Sequence, residues 1–367
     1  MVPMRLGRTL ARRGLVLVVL AVPALTGCGL FDEGSTAEEA FEYLPADTFH
    51  VQFSDRKAMA ERLGIDDIDP RDVSDGDFRN FLDSFGDEDE VIATKLTPFV
   101  AIMRDDPLND FDIEWEATAV WDGGTATAWK VGDDLDFHAL ADDLTETGYE
   151  RDEIDGLPTF AASVELAEGK NVIGDAYPGW MLNVLLDEDE QLVVTSVAAD
   201  PLHEIADVIA DDADSLADDG GMDDLLDAAD GDPELVLLAT DDSSVCPDTG
   251  RPLPEELASE YDDLGRPSAR ALFISPEQDR DALLALQYDS EDAAKDDLDA
   301  REALIDDGVD IRTLEPFADL GDFSVEQDGE FLFIETDYEH GAKQAVQAEA
   351  IGAGPGACLP GTPRIAY

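Results

Sequence analysis

The sequence predicts an α+β protein made of two similar halves, each an antiparallel sheet covered by helices. Several segments alternate polar and apolar residues and meet at glycine-containing turns, which is typical of antiparallel hairpins. Segments with apolar residues at helical spacing follow these hairpins. The order of strands and then helix occurs twice along the 367-residue chain. We therefore predict an internal duplication, with generic α+β patterning of two unrelated halves as the alternative.

The first half is predicted to begin with a strand and to end with a helix. In chain order its elements are a strand at 49–53, a hairpin of 116–120 and 125–131, a helix at 135–147, an extended segment at 191–196 and a helix from 200. Leu140 and Leu144 lie one helical turn apart, which favours the helix that follows the hairpin. Asp200 and Pro201 predict the N-cap and the first helical residue of the last helix.

The second half repeats this order approximately. Its predicted elements are a strand at 234–240, strands at 269–275 and 282–288, a helix at 290–306, a hairpin at 325–336 and a last helix ending near 350. Asp328-Gly329 indicates the hairpin turn, and Thr336-x-x-Glu339 is a capping box that predicts the start of the last helix. The first half has one extended segment where the second half has a hairpin, so the two halves do not match element for element.

A short helix is predicted before the first strand. Ser35-x-x-Glu38 and Thr36-x-x-Glu39 are both capping boxes, and the helix that they begin is expected to end near Tyr43.

Two longer segments lie outside the repeated pattern. Residues 70–91 contain Phe78, Phe81 and Phe85 at positions i, i+3 and i+7, which predicts an amphipathic helix. Residues 241–267 are polar and contain several prolines, so we interpret them as a surface loop.

The N-terminal residues have the three-part pattern of an export signal. The first 14 residues contain four arginines and no acid, and an apolar run of 11 residues follows. This run is shorter than the roughly 20 residues that span a bilayer, and it fits the apolar core of a signal peptide. The next residues, Leu25-Thr26-Gly27-Cys28, resemble the lipobox of bacterial prolipoproteins. The resemblance implies that Cys28 receives a diacylglyceryl group and becomes the first residue of the mature chain.

The lipobox resemblance implies attachment to the outer, extracytoplasmic face of a cell membrane. Two acyl chains give stable anchoring without a transmembrane helix. An ordinary signal peptide with an incidental cysteine is the alternative. Arg12-Arg13 before the apolar run also resembles a twin-arginine export signal, so the export route stays open.

These patterns divide the chain into four predicted parts. They are a signal peptide at 1–27, a lipid anchor and spacer at 28–41, the first α+β half at 42–230, and the second half at 231–367 with a disulfide-tied tail.

The cysteine count agrees with export. Lipidation of Cys28 leaves Cys246 and Cys358, and disulfides persist in oxidising extracytoplasmic compartments. Both residues lie in segments rich in proline and glycine. We predict a Cys246–Cys358 disulfide; a pair of reactive thiols or metal ligands is the alternative, which no CxxC spacing supports.

The charge of the chain excludes some classes of partner. The sequence contains 88 acidic and 23 basic residues, which gives a net charge of −65. Nucleic-acid binding needs a basic surface, so it is not expected, and docking of the protein surface on anionic lipid is disfavoured. Solubility in a saline setting explains the acidity, and weak collective binding of Ca²⁺ or Mg²⁺ is the alternative.

No catalytic residue, metal-ligand set or cofactor is predicted. His203-Glu204 starts like the zinc-protease motif, but Asp207 stands where the second histidine is needed. Ser324 to Glu335 has part of the spacing of a calcium-binding EF-hand, but Ser324 replaces its first acid, which favours a hairpin turn.

The four tryptophans are candidates for a sugar-stacking platform or for core packing. They are Trp115, Trp121, Trp129 and Trp180. Trp115 and Trp129 lie at similar distances from the hairpin turn, so they are placed to meet across the strands. Packing of the sheet onto its helices is the favoured interpretation.

Residues 43–48, Tyr-Leu-Pro-Ala-Asp-Thr, resemble a segment of uncharacterised envelope lipoproteins of high-GC Gram-positive bacteria, which implies no particular activity. The sequence favours a lipid-anchored extracytoplasmic surface protein, a non-enzymatic binding or structural module of the cell envelope. Its expected partner is the membrane, through the lipid on Cys28. The alternative is a solute-binding lipoprotein of a transport system, which would need a ligand cleft between two domains, and a hydrolase without a recognisable motif is a third hypothesis.

Overall fold

The computed structural model describes most of the chain between residues 35 and 358. The described residues are 35–66, 69, 71, 73–74, 76, 78, 94–163, 172–173, 177–218, 225–226, 232–241, 245–246, 261, 264–275, 282–339, 341–350 and 352–358. They all belong to one compact unit, Gly34–Tyr367. The predicted export signal, Cys28 and most of the predicted helix at 70–91 lie outside the described residues.

Twelve of the described strands form one antiparallel sheet. In chain order, all fourteen described strands are β1 His50–Asp55, β2 Ile113–Trp121, β3 Gly124–Val131, β4 Glu150–Ile154, β5 Leu157–Ala161, β6 Val172–Ile173, β7 Tyr177–Pro178, β8 Asn183–Asp187, β9 Leu192–Ser196, β10 Leu235–Ala239, β11 Ala269–Ile274, β12 Ala282–Gln287, β13 Gly321–Asp328 and β14 Phe331–Tyr338. Their order is β13-β14-β12-β11-β10-β1-β2-β3-β9-β8-β5-β4, and β6 pairs only with β7.

Helices cover both faces of this sheet. Those with described bounds are α1 Thr36–Phe41, α2 Arg56–Leu63, α3 Phe137–Thr147, α4 Asp200–Ile209, α5 Glu291–Asp307 and α6 Ala342–Ala350. On one face, which includes Val51 and Phe53, apolar side chains pack under α1 and α4. On the opposite face, one cluster packs under α3 and another packs under α2, α5 and α6. Within the described parts of the chain, no helix is long and apolar enough to cross a membrane.

The predicted α+β class and antiparallel sheet are confirmed, and the two halves share one sheet. Strands β1 and β10, which open the two halves, pair with each other near its middle. Outward from this pair, β2, β3, β9 and β8 follow on one side, and β11, β12, β14 and β13 follow on the other. The extended segment predicted at 191–196 is one strand of a β8–β9 hairpin, which matches β13–β14 in the second half. This order agrees with the duplication, which stays a prediction.

Several predicted elements are present close to their expected bounds. Ser35 caps α1 in a capping box with Glu38, and the hairpins β2–β3 and β13–β14 both form. Gly329 adopts a φ of +57° at the second turn, a conformation that glycine reaches without a steric penalty.

Two predicted helix starts were wrong. Helix α4 takes Ala199 as its N-cap, with no side-chain capping bond, and Asp200 is its first residue. The last helix begins at Ala342, because Thr336 lies within β14 and is buried. The Thr336 hydroxyl donates to the carbonyl of Ala282 on β12, at 3.3 Å, so pairing in the sheet replaces the predicted cap.

The predicted meeting of Trp115 and Trp129 was also wrong. A β-bulge lies between Ile113 and Trp115, and Glu116 is therefore opposite Trp129. Trp115 packs on the face under α1, whereas Trp129 packs on the face under α3. Both rings are buried, which agrees with the core-packing interpretation.

The predicted disulfide is present in the structure. Cys246 and Cys358 are bonded, with their Cα atoms 5.3 Å apart. The adjacent tail is also held from inside the protein, because the guanidinium of Arg301 donates to the carbonyls of Pro355, at 2.6 Å, and Ala357, at 3.3 Å.

Candidate binding cavity

A cavity of about 490 Å³ lies between α2 and the ends of strands β2 and β3. Its size is within the range of small-molecule sites. It is lined by Arg56, Lys57, Ala60, Glu61, Ile65, Asp66, Asp69, Arg71, Phe111, Asp112, Ile113, Glu114, Gly132, Asp134 and Leu135. The lining therefore combines apolar side chains, three cations and six carboxylates.

Helix α2 forms one wall because both of its ends are well defined. The carboxylate of Asp55, the last residue of β1, accepts a hydrogen bond from the backbone N–H of Ala58 at 2.8 Å, which caps the helix directly after the strand. Gly64 ends the helix in a left-handed conformation with a φ of +66°. The chain then turns, and Ile65 and Asp66 continue the wall.

The opposite wall comes from a short 3₁₀ turn and the bulge at the start of β2. Asn109 and Asp112 form a reciprocal capping box around this turn. The backbone N–H of Gly132, just after β3, donates to the carbonyl of Asp112 at 3.0 Å. The bulge makes Glu114 the extra residue of the strand, so its partly exposed carboxylate lies at the rim of the cavity.

Each of the three cations in the lining is paired with a carboxylate. Arg56 Nε lies 3.0 Å from Asp110 Oδ2, with both side chains buried. Lys57 Nζ lies 3.2 Å from Glu114 Oε1 at the exposed rim.

The third cation, Arg71, contacts two carboxylates. Its Nη2 lies 2.7 Å from Asp112 Oδ1, and its Nε lies 3.0 Å from Asp69 Oδ1. Each of these ion pairs except Arg71–Asp69 joins residues more than 40 positions apart in the sequence. The pairs therefore hold the two walls of the cavity together.

A buried polar network lies behind Arg56. Asp110 Oδ1 accepts hydrogen bonds from the hydroxyls of Thr94 and Thr97, the latter at 2.9 Å. The neighbouring backbone N–H of Lys95 donates to the carboxylate of Glu116 at 2.9 Å. Polar contacts therefore continue from the floor of the cavity to the centre of the sheet.

Glu116 is the most perturbed carboxylate of this network. It is 1 % exposed, and burial raises its pKa to about 7, although Trp129 Nε1 donates to it at 2.7 Å and favours the charged form. Lys95 is also affected by burial, which lowers its pKa, and its amine donates to the hydroxyl of Thr127 at 2.9 Å. Glu116 on β2 is the cross-strand neighbour of Ser54 on β1. The pair lies between the apolar cluster under α3 and the cluster under α2, α5 and α6.

The carboxylates Glu61, Asp66 and Asp134 give the rim its net charge. All three are exposed, and among the described residues none of them forms an ion pair at 4.0 Å or less. The arrangement offers apolar contact, charge and hydrogen-bonding groups. It can therefore bind a small molecule, and Glu116 itself does not line the cavity.

The residues singled out by motif lie apart from this cavity. His203 is exposed in the first turn of α4, and the carboxylate of Glu204 accepts a hydrogen bond from Trp121 Nε1. Ser324 and Glu335 face each other across β13 and β14, as the hairpin interpretation predicts. Within the described ranges, no group of three or more His, Cys, Asp or Glu side chains is arranged to hold a metal ion. The weak divalent-cation hypothesis stays a prediction.

Sequence reasoning missed the cavity, although one signal was available. Four of the 23 basic residues lie within residues 56–71, a stretch of a strongly acidic chain. Such a concentration indicates paired charges at a particular place in the fold rather than general solubility.

Comparisons with known proteins assign no family. No protein-family model matches the chain, and no curated protein matches it. Two solved structures are similar, crystal forms I and IV of TP0453, with TM-scores of 0.43 and 0.44 and sequence identities of 8% and 9%. Each alignment covers 85% of this chain, and they cover 96% and 98% of the two TP0453 chains. A similarity at this level is too low to assign a fold family or a function.

Proposed function

We propose that the protein is a lipid-anchored binding module on the outer face of the cell membrane, without enzymatic activity of its own. The cavity between α2 and the β2–β3 hairpin is the observation that carries the binding role. The lipobox sequence Leu25-Thr26-Gly27-Cys28 supports the anchor. The Cys246–Cys358 disulfide agrees with an oxidising compartment.

The cavity supports binding rather than catalysis. The three cations of its described lining are neutralised by carboxylates, and Glu116, whose pKa is raised by burial, is enclosed behind it. A catalytic acid or base must reach its substrate within hydrogen-bonding distance. The described part of the lining contains no histidine, serine or cysteine that could act as a nucleophile.

A transporter-type solute-binding protein is the less favoured candidate. Such a role would need a cleft between two domains that close on a ligand. Here β1 of the first half pairs with β10 of the second half, so one continuous sheet extends through both halves. The described residues that line the cavity all lie within residues 56–135 of the first half.

The anchor and the location are tested by cell fractionation of full-length protein. Wild-type protein should be recovered with membranes and be cleaved by protease added to intact cells. Cys28→Ser should be released or remain unprocessed, because its side chain has no thiol for lipid attachment. Thr26→Ser keeps a small residue in the lipobox and is the matched control, which should behave as wild type. Membrane-bound, mature-sized Cys28→Ser would contradict the proposal.

A further inference from the structure

We propose that the cavity between α2 and the β2–β3 hairpin binds a small organic cation, an amine or ammonium group carried on an apolar body. This inference rests on the proposed binding role and specifies the chemistry of the ligand. It depends on the volume of the cavity, on the pairing state of its charges and on its apolar floor.

The charges of the lining favour a cation. Among the described lining residues are six carboxylates and three cations, and each of these cations already contacts a carboxylate at 3.2 Å or less. An anionic ligand that approached one of these cations would also meet the repulsion of the carboxylates around it. The carboxylates of Glu61, Asp66 and Asp134, in contrast, are exposed at the rim, where the ammonium group of a ligand can approach them.

The floor favours an apolar body attached to that cation. Ala60, Ile113 and Leu135 are buried beneath the cavity, and Ile65 and Phe111 are partly buried beside them. An apolar group placed there removes hydrocarbon surface from water on both sides of the contact. A bare metal ion would leave this floor unused, and a volume of about 490 Å³ is far larger than an ion requires.

The field of the whole molecule acts in the same direction. The net charge of −65 attracts cations and repels anions before contact is made. Because solvent ions screen this field, the association rate should fall as the salt concentration rises.

Gly132 provides a way to fill the cavity without disturbing the fold. It lines the cavity, and a Cβ atom added to it would have no heavy atom within 4 Å. Gly132→Leu therefore places a bulky side chain in open space. Gly156 lies outside the cavity, in the turn between β4 and β5, and a Cβ atom added there would also have open space around it. Its φ of +93° would strain any other residue, so Gly156 does not provide a control for Gly132→Leu. Asp142→Asn, an exposed substitution on α3 outside the described lining, is the matched control for the substitutions of rim carboxylates described below.

The test uses the protein as purified from the cells that make it, reconstituted in nanodiscs if it carries a lipid and kept in buffer if it does not, with empty nanodiscs or buffer as the blank. Saturation-transfer NMR titrations compare 2-phenylethylamine with 3-phenylpropionate, which has a similar aromatic body and the opposite charge. We expect binding of the amine and none of the carboxylate. The double variant Glu61→Gln/Asp134→Asn should bind the amine roughly tenfold more weakly, because two favourable charge contacts are lost.

Gly132→Leu should abolish amine binding while the melting temperature stays unchanged, and Asp142→Asn should bind as wild type. Equal or stronger binding of 3-phenylpropionate, no binding of either probe, or unchanged amine binding by Gly132→Leu would overturn the proposal. These outcomes are independent of the lipid anchor, since the titration uses purified protein and reports nothing about where the protein resides in the cell.

Discussion

At the scale of single residues, the structure places ionisable groups where burial sets their charge. Glu116 accepts hydrogen bonds from Trp129 and from the backbone of Lys95, yet it lies between two apolar clusters. Loss of hydration disfavours its charged form more than these two donors favour it. Glu116 therefore links the central sheet to the segment that supports the cavity, and its charge makes that link dependent on pH.

Substitution of Glu116 by glutamine should remove part of the pH dependence of stability. The pKa of Glu116 is about 7 in the folded state and 4.5 as its ordinary value. The carboxyl group therefore opposes folding least below pH 4.5, and the penalty develops between pH 4.5 and about 7 and is complete above that pH. Relative to Glu116→Gln, the wild-type free energy of unfolding should fall by roughly 3 kcal/mol between pH 4.5 and 8. Urea unfolding at several pH values measures this difference.

Glu150→Gln, on the exposed strand β4, is the matched control, and its difference from wild type should not change in this way. Parallel stability curves for wild type and Glu116→Gln would show that burial does not perturb Glu116.

At the scale of elements, one helix holds the C-terminal tail. Arg301 is fully buried on α5, where its Nε donates to Asp297 one turn earlier and its Nη1 donates to the carbonyl of Pro355. Asp297 also accepts hydrogen bonds from Tyr288 and from the backbone N–H of Gly265. The guanidinium of Arg301 thus links α5 to the segment that contains Cys358, and its partner Asp297 links the same helix to the loop at Gly265.

Arg301→Met should destabilise the protein strongly and loosen its tail. The change leaves the buried carboxylate of Asp297 without its cation, which typically costs roughly 3 kcal/mol or more. Lys295→Met is the control, because Lys295 is an exposed cation on the same helix. Its loss should be below about 1 kcal/mol. Urea unfolding gives both values, and equal losses would refute the role of Arg301 as a buried link.

The pattern of polar and apolar residues predicted the elements that pair with a segment close to them in the sequence. The β2–β3 hairpin was predicted because alternation meets Gly123-Gly124. Strand β4 was missed because four of its five residues are charged and exposed, as suits the edge of a sheet. The β-bulge before Trp115 has no sequence signature, so the facing of Trp115 and Trp129 was predicted wrongly.

The candidate site was less predictable than the fold. Its two walls come from residues 56–71 and 109–135, which pack together only after β1 pairs with β2. The concentration of basic residues in the first of these segments was visible, but their partners, among them Asp110 and Asp112, could not be chosen from so many acids. The disulfide was predictable because the cysteine count left one pair.

At the scale of the whole molecule, charge is the dominant property. Four of the 23 basic residues lie before Cys28, so the chain from Cys28 onward has 19 basic residues against 88 acidic ones, an excess of 69 negative charges. Mutual repulsion on this scale opposes the compact state. The lipid proposed on Cys28 would hold the protein at a membrane that its own surface does not attract.

Salt should therefore stabilise the protein. The screening length falls from about 30 Å at 0.01 M to about 3 Å at 1 M salt, so repulsion between exposed carboxylates weakens steadily. We expect the melting temperature to rise by about 5 °C or more over this range of NaCl. Calorimetry of purified protein measures it, and a constant melting temperature would show that repulsion does not limit stability.

The mass of the N-terminal peptide, measured on protein extracted from membranes, tests lipid anchoring directly. If the protein is a lipid-anchored module, this peptide begins at Cys28 and carries a diacylglyceryl group on the cysteine thiol. A peptide that begins at Met1, or at any residue other than Cys28, or a Cys28 with a free thiol, would contradict anchoring by a lipid on Cys28.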